Sequence, residues 1–221
     1  MKKMILLVLC FVSGSFILAG CSTGSGGSFE AESYTSDTQI KGINLDVRDR
    51  EIEVSLSEDD QIHIDYYESS EEYYDISVSD ENVLTMTGAD DKDWTDYIGG
   101  KASAEDRKIS LRIPEGILEN LTLSTTNEDI TLSPLAVTGS INISSNGGNI
   151  EFENLDAGSS LTLDAKNGDI SGTIAGSYDD FSIHTEIKKG ESSLPDQKDG
   201  GEKSLNVSCN NGDVDIEFAA E

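Results

Sequence analysis

One unit of about twenty residues, repeated along the second half of the chain, constrains the fold more than any other feature of the sequence. The segments LTLSTTNEDITL, INISSNGGNIEF, LTLDAKNGDISG and LNVSCNNGDVDI begin at residues 121, 141, 161 and 205. In every segment, apolar residues occupy positions 1, 3 and 10, and three of the four segments are also apolar at position 12. Alternation of apolar and polar residues is typical of a β-strand that buries one face. Each segment therefore predicts two short strands joined by a turn.

Small polar residues separate the two predicted strands of every unit. The four turns read Asn127-Glu128-Asp129, Gly147-Gly148-Asn149, Asn167-Gly168-Asp169 and Asn211-Gly212-Asp213. Such residues adopt positive φ readily or hydrogen-bond their own backbone. A constant period with equivalent apolar positions favours coils that stack in parallel, about 4.8 Å apart. We therefore predict an all-β fold, a single-stranded parallel β-solenoid of the β-helix kind, with coils of about 20 residues and short Asn/Gly/Asp turns.

A single domain is expected over residues 38–221. The chain has 221 residues, of which 36% are hydrophobic, enough for one substantial core. Residues 43–54 carry a fainter copy of the unit, and the period recovers at 108–116. Residues 88–106 lack any strand period and are predicted to form a long, irregular surface loop.

The wider spacing before the last unit predicts an insertion. The interval between the last two units is 44 residues, which we interpret as two coils and a short extra loop. Phe181 begins a coil on schedule, and residues 195–203 are predicted to be a loop inserted into that coil. Leu163 is then expected to lie buried between the coils that begin at Ile141 and Phe181, whereas Thr162 is expected to face solvent.

The amino terminus has the layout of an export signal, with two lysines followed by an apolar stretch. It ends in LAGC, residues 18–21, which resembles the lipobox of bacterial lipoproteins, whose cysteine is acylated and becomes the mature N-terminus. This resemblance implies a signal peptide over residues 1–20, a lipidated Cys21 and a flexible Ser/Gly tether over residues 21–37. An uncleaved membrane anchor is the alternative, but small residues at 13–15 interrupt its apolar run. We therefore expect a lipid anchor at the extracytoplasmic face of the bacterial cell membrane.

Charge limits the partners. The formal net charge is −28, and loss of residues 1–20, which carry two lysines and no acids, makes it −30. Nucleic acid is excluded as a partner because phosphate neutralisation requires clustered Lys and Arg. Cations and cationic peptides match the charge of the domain. Cys209 is left without a disulfide partner once Cys10 is removed and Cys21 is acylated, so we expect it to be a structural thiol.

Metal and catalytic sites have little support in the sequence. His63 and His184 alternate with apolar residues that are expected to face inward, so both should face outward and ligate no metal. The stacked turn acids Asp129, Asp169 and Asp213 are weak candidates for calcium ligands, and solvated turns are the alternative. Carboxylates are spread throughout the chain, and no nucleophile motif or phosphate-binding loop is present. We expect no enzyme activity and no cofactor.

Aromatic residues among acids form the candidate ligand surface. The segment YYESSEEYYD spans residues 66–75, and two further aromatic residues lie in the predicted loop. Aromatic rings flanked by acids can stack on a sugar ring or hold a cationic peptide. The alternative is that tyrosine is simply a common strand residue. The candidate residues are Tyr66, Tyr67, Tyr73, Tyr74, Trp94 and Tyr97.

Over roughly residues 38–218 the sequence resembles the bacterial putative-adhesin β-strand-repeat family, a domain of unknown function in surface and envelope-stress proteins of Gram-positive bacteria. The resemblance rests on IKGINLDVRDREIEV at residues 40–54, on LRIPEG at 111–116 and on the repeated Asn-Gly-Asp turns. It implies a β-solenoid displayed outside the membrane, and it supplies no catalytic residues.

These observations together predict a non-enzymatic, lipid-anchored module that binds a component of the cell envelope in the manner of an adhesin. The alternative is an envelope-stress sensor or decoy that captures cationic peptides, and the third candidate is a polysaccharide-active β-helix enzyme. The partner is predicted to be an envelope glycan, a protein or a cationic peptide, in addition to the membrane that Cys21 would contact. The sequence leaves the oligomeric state open.

Overall fold

The computed structural model describes residues 28–36, 39–90 and 102–219. The predicted signal peptide, Cys21 and most of the tether, together with residues 91–101 of the predicted surface loop, lie outside these ranges. The described part is almost entirely β-structure, with two 3₁₀ helices at Glu105–Arg107 and Tyr178–Asp180. None of its helices has the length and apolar character that a membrane span requires. The all-β prediction is confirmed.

The strands are β1 (Glu30–Thr35), β2 (Gly42–Asp46), β3 (Glu51–Leu56), β4 (His63–Glu68), β5 (Glu72–Val78), β6 (Val83–Asp90), β7 (Lys108–Ile113), β8 (Asn120–Thr125), β9 (Ile130–Leu132), β10 (Leu135–Val137), β11 (Ser140–Ser145), β12 (Ile150–Ala157), β13 (Ser160–Asn167), β14 (Ile170–Ala175), β15 (Phe181–Ile187), β16 (Gln197–Lys198), β17 (Lys203–Asn211) and β18 (Val214–Ala219).

Two nine-stranded sheets share these strands. Sheet A has the order β1-β4-β7-β3-β9-β12-β14-β18, with β10 beside β12, and sheet B has the order β16-β15-β17-β13-β11-β8-β2-β6-β5. The first strand of each repeated unit lies in sheet B and the second in sheet A. Inward side chains of both sheets, such as Leu121 and Leu123 from β8 and Ile130 and Leu132 from β9, belong to one buried cluster. The prediction of two half-buried strands per unit is confirmed.

The repeated units pair in parallel and in register. Ile141 lies beside Leu121 on one side and Leu161 on the other, and Ile150 lies in the same way between Ile130 and Ile170. At three of the four sheet ends the pairing becomes antiparallel, where β4 joins β1 to β7, β5 joins β6, and β16 joins β15. At the fourth end, β18 pairs parallel with β14. The predicted single parallel solenoid is thereby corrected to two mixed sheets. Short antiparallel strands cover three edges that a purely parallel stack would leave open.

The units do not stack in chain order at either end. The last unit, β17 and β18, lies directly against β13 and β14, and β15 lies outside it. Likewise β2 and β3 lie between the pair β6 and β7 and the pair β8 and β9. Leu163 consequently packs between Ile143 and Val207. The prediction that one of its neighbours belongs to the coil of Phe181 was therefore wrong. The unit beginning at residue 205 carries the full Asn-Gly-Asp turn that fits against the 161–172 unit, whereas the Phe181 coil has Lys189-Gly190-Glu191 at the equivalent place.

The segment that was predicted to be an inserted loop, residues 195–203, contains β16. This two-residue strand pairs antiparallel with Ile183 and His184 of β15 at the outer end of sheet B. The backbone N–H of Thr185 donates to the carbonyl of Asp196 at 2.9 Å and extends this contact. The segment is therefore largely irregular and contributes a two-residue end strand to sheet B.

The turn glycines are required by close approach of neighbouring turns. A Cβ added to Gly168 would lie 2.3 Å from the carbonyl oxygen of Gly148, and one added to Gly148 would lie 2.1 Å from that of Glu128. Neither glycine has positive φ, so at these two positions the close approach of the neighbouring backbone, and not a left-handed conformation, requires glycine. The turns stack so tightly that the backbone of one unit occupies the space of a side chain in the next.

The register of β13 predicts opposite outcomes for two adjacent substitutions. Leu163→Asp places an unpaired charge in the core and should lower the free energy of unfolding by about 3–5 kcal/mol. Thr162→Asp, on the outward face, should cost less than about 1 kcal/mol. Urea unfolding followed by circular dichroism measures both values. Equal losses of stability would contradict the observed register.

A second pair of variants tests the stacking of the turns. Gly168→Ala should destabilise the protein by about 1–3 kcal/mol because the added methyl group meets the neighbouring backbone. Gly88→Ala is the matched control, since its nearest neighbours lie 4.0 Å from the added Cβ, and it should be neutral or slightly stabilising. Thermal unfolding distinguishes the two variants, and an unchanged melting temperature for Gly168→Ala would disprove the steric argument.

Candidate functional site

Two of the candidate tyrosines lie between the two sheets, at the end of the stack that contains β4 and β5. Tyr66 and Tyr74 come from β4 and β5, pack against the core and meet edge to face, with ring centroids 5.2 Å apart. Burial raises the pKa of the Tyr66 hydroxyl to about 12, and the nearby carboxylates of Glu68 and Glu32 add to this effect. Burial likewise raises the pKa of Tyr74. Both rings are therefore partly buried and help to close the core at this end of the molecule.

Arg50 completes this closure and was not identified from the sequence. Its Nε donates to the Tyr74 hydroxyl at 2.6 Å, its Nη2 to Oε2 of Glu72 at 2.5 Å, and its Nη1 to the carbonyl of Asp49 at 3.1 Å. The residue is only 5% exposed. A buried arginine requires such partners because unpaired charge in the interior is costly. The sequence did contain a signal for this position. Arg50 lies two residues before the inward Ile52, and the period of a strand therefore predicts that it also faces inward.

The other two tyrosines of the segment face outward on different sheets. On β4, Tyr67 has the opposite phase to the buried Ile64, so it lies on the outer face of sheet A. Tyr73 alternates with inward residues of β5 and lies on the outer face of sheet B. The four described tyrosines are therefore not gathered into one site. Trp94 and Tyr97, the remaining members of the predicted ligand surface, lie outside the described residues, as does Cys21.

The turn acids form a ladder of hydrogen bonds between neighbouring turns. The Oδ1 atom of Asp129 accepts the N–H of Asn149 at 2.7 Å, and that of Asn149 accepts the N–H of Asp169 at 3.0 Å. Asp169 accepts in the same way from Asp213, and Asp213 from Glu191, both at 2.8 Å. The sequence had suggested hydrogen bonds from these side chains to their own backbone. In the structure, the side chains bond the backbone of the next turn instead. Within the described ranges, no three His, Cys, Asp or Glu residues are grouped to hold a metal ion.

The two histidines lie on opposite outer faces. His63 bonds Asp59 Oδ1 through Nε2 at 2.8 Å and Thr35 Oγ1 through Nδ1 at 3.0 Å. The pKa of Asp59 is lowered to about 2, mainly by its hydrogen bond with His63. These contacts fasten edge strand β1 to the loop after β3, beside a shallow pocket of about 490 Å³ that also contains Arg112. His184 lines a smaller depression of about 230 Å³ on sheet B.

The outer face of sheet A carries carboxylates on alternate strands. Cross-strand pairing sets acids and hydroxyl residues in one row that crosses eight strands, so that no two acids are direct neighbours. Acids in this row are about 10 Å apart, twice the spacing between strands. We call it the acid row, and its members in order are Ser33, Asp65, Ser110, Glu53, Thr131, Glu151, Ser171 and Asp215.

The outer face of sheet B carries an uncharged row. Here threonine and asparagine alternate across six adjacent strands, from β6 to β17, and the row continues to His184 of β15. No member of the six is charged, although the chain contains 43 acidic residues. We call it the Thr/Asn row, and its members in order are Thr85, Asn44, Thr122, Asn142, Thr162 and Asn206.

Cys209 is a buried free thiol in the described part of the chain. Its Sγ lies 3.3 Å from the carbonyl oxygen of Gly212, in the turn that follows. Burial raises the pKa of this thiol, and the carboxylate of Asp169 adds to the effect. A thiol that is held protonated and away from solvent is unreactive, which agrees with the structural role expected for it.

Comparison with known proteins identifies the family. The family model described as Toastrack DUF4097 matches residues 40–219, and no curated protein matches the sequence. The crystal structure of a putative cell adhesion protein from Clostridium sporogenes has a TM-score of 0.66 at 10% identity, covering 87% of this chain and 100% of that chain. At this identity the likeness establishes a shared fold.

A second solved structure, a putative adhesin from Bacteroides fragilis, covers 87% of this chain and 97% of its own at 15% identity. Its TM-score of 0.37 is too low to establish a common fold. The family match agrees with the resemblance to a putative-adhesin domain of unknown function that was inferred from the sequence, which is confirmed. Because the family model spans most of the chain, the protein belongs to the Toastrack DUF4097 family.

Proposed function

We propose that this protein is a non-enzymatic, lipid-anchored module on the extracytoplasmic face of the cell membrane, where it binds a component of the cell envelope in the manner of an adhesin. The observation that carries the proposal is the pair of broad outer sheet faces, each with side chains repeated at strand spacing. Extended, regular surfaces suit a large partner, whereas small-molecule chemistry generally takes place in concave pockets. The name of the Clostridium sporogenes protein that shares the fold, a putative cell adhesion protein, points the same way.

The position of β1 is compatible with anchoring. β1 begins at Glu30, nine residues after Cys21, and forms the outermost strand of sheet A. A flexible Ser/Gly linker of nine residues has a root-mean-square length of about 15–18 Å. A lipid at Cys21 would therefore hold the β1 end of the stack near the membrane and leave both outer faces accessible.

Anchoring is tested by replacing the cysteine. Cys21→Ala should release the protein from the membrane fraction or stall its processing, because two or three acyl chains are needed for stable attachment. Cys10→Ala, within the predicted signal peptide, is the matched control and should leave attachment unchanged. Membrane fractionation and mass spectrometry of the mature N-terminus measure the result. An intact segment 1–20 on the mature wild-type protein would overturn the anchoring proposal.

Capture of cationic peptides is a second candidate function, and the acid row favours it. A polyproline II peptide has three residues per turn and rises about 3.1 Å per residue, so every third side chain recurs on one face about 9 Å apart. This repeat approaches the spacing of the acids. Asp65 and Glu53 are already paired with Arg112 and Lys108. Glu151 and Asp215 have no ion-pair partner in the described part of the chain, so this half of the row is the more available.

A charge-matched pair of variants tests the second candidate. Glu151→Gln/Asp215→Asn should weaken binding of a Lys-Pro-Pro repeat peptide several-fold at physiological ionic strength, since each exposed ion pair contributes about 0.2–1 kcal/mol. Asp46→Asn/Asp164→Asn removes the same charge from the face of sheet B and should have a smaller effect. Calorimetry at two salt concentrations measures both, and affinity should fall as salt rises. Equal effects of the two variants would show attraction by net charge alone.

A further inference from the structure

The Thr/Asn row belongs to a wider uncharged band on sheet B. A second row lies two residues before the first on four of these strands. Its members are small and polar, and they are Asn120, Ser140, Ser160 and Ser204. The outward acids Asp46 of β2 and Asp164 of β13 lie in the row on the other side. A protein with a net charge of −28 thus presents four adjacent central strands, β8, β11, β13 and β17, with two neighbouring rows free of charge.

The Thr/Asn row retains unused hydrogen-bonding capacity. None of its six side chains hydrogen-bonds another residue in the described ranges. An asparagine side chain offers two donors and one carbonyl acceptor, and a threonine hydroxyl both donates and accepts. In the turns, by contrast, Asp129, Asn149 and Asp169 are each bonded to the backbone of the next turn. The polar groups of the row are therefore available to a ligand, and those of the turn ladder are committed to the fold.

The row is also pre-ordered. Successive members stand on adjacent strands about 4.8 Å apart, and five of the six are partly buried by their neighbours. Side chains held in place before binding lose little conformational entropy when a ligand arrives. The row crosses six adjacent strands, so its natural ligand is a polymer whose own hydrogen-bonding groups repeat along its length.

We propose that the Thr/Asn row binds a linear, uncharged polysaccharide that lies across the strands, with hydroxyl groups of successive sugars bonding successive side chains. The proposal rests on the proposed function and names the ligand class and the face. Sugar hydroxyls donate and accept, as the row requires. An anionic polymer would be repelled by the net charge, and a polycation would be attracted instead to the acid row. A protein partner would be expected to find aromatic or arginine anchors, and the row contains none.

Near-isosteric substitution tests this assignment. Thr122→Val/Asn142→Leu/Thr162→Val removes the polar groups from three central strands while preserving their shape and strand preference. Ser110→Ala/Thr131→Val/Ser171→Ala, which removes three hydroxyls from the opposite face, is the matched control. The full chain in detergent is titrated with the uncharged hexasaccharides of chitin, cellulose and β-1,4-mannan. Circular dichroism and melting temperature establish that both variants are folded.

We expect at least one hexasaccharide to bind the wild type and the control, and the Thr/Asn variant to bind it about tenfold more weakly, given the usual contribution of each hydrogen bond. Binding should change little with salt because neither partner surface carries charge. Asn142→Asp, an isosteric single variant that introduces a charge, should also weaken binding. Failure of the wild type to bind any of the three sugars, or equal binding by the Thr/Asn variant, would overturn the inference.

A parallel arm with isolated cell envelopes separates this inference from the proposed function. If the wild type and the Thr/Asn variant bind envelopes equally, the proposed function stands and the assignment of the row is wrong. If the wild type does not bind envelopes, the proposed function itself fails. A second copy of the chain is the remaining possible occupant of the row, and sedimentation of the free protein tests it. If the wild type is a dimer and the Thr/Asn variant is a monomer, a second copy covers the row and the inference is overturned.

Discussion

The close stacking of consecutive turns is the constraint on which the rest of the structure depends. Glycine at the turn brings the backbones of two units together without an intervening side chain. The Asp and Asn side chains beside it then bond the N–H groups of the adjacent turn. These contacts fix the lateral register of the strands on either side. A shift of one residue would turn every apolar side chain outward, so the core and both outer faces inherit their order from the turns.

The local structure could be predicted from the sequence because its causes are local. Alternation of apolar and polar residues identified both strands of each unit and the inward position of Leu163. The stacking order was not predictable from period alone, since the units beginning at Phe181 and Leu205 both offer suitable apolar positions. The turn decides between them, and its role as a contact between units became visible only when Asp213 and Asp169 were seen bonded.

The candidate site was harder to predict because outward residues carry no packing signal. The tyrosines were grouped by their nearness in sequence, yet adjacent residues of a strand face opposite sides. Tyr66 follows Ile64 in phase and was thus identifiable as an inward residue, whereas the meaning of Thr162 depends on neighbours 20 and 44 residues away. The same pairing keeps like charges apart in the acid row of sheet A, where a hydroxyl residue separates each carboxylate from the next.

The interleaved ends of the stack have a consequence for how the chain acquires its structure. In the part of the chain that the structure describes, β15 pairs only with β16 and β17, both of which follow it in the sequence. While the polypeptide emerges from its amino terminus, residues 181–187 have no sheet to join, and the edge of β13 must remain open until the final unit arrives. The carboxyl-terminal end of the domain therefore cannot form coil by coil during synthesis or export. It assembles only after β17 and β18 have emerged, and contacts between distant segments of this kind slow folding.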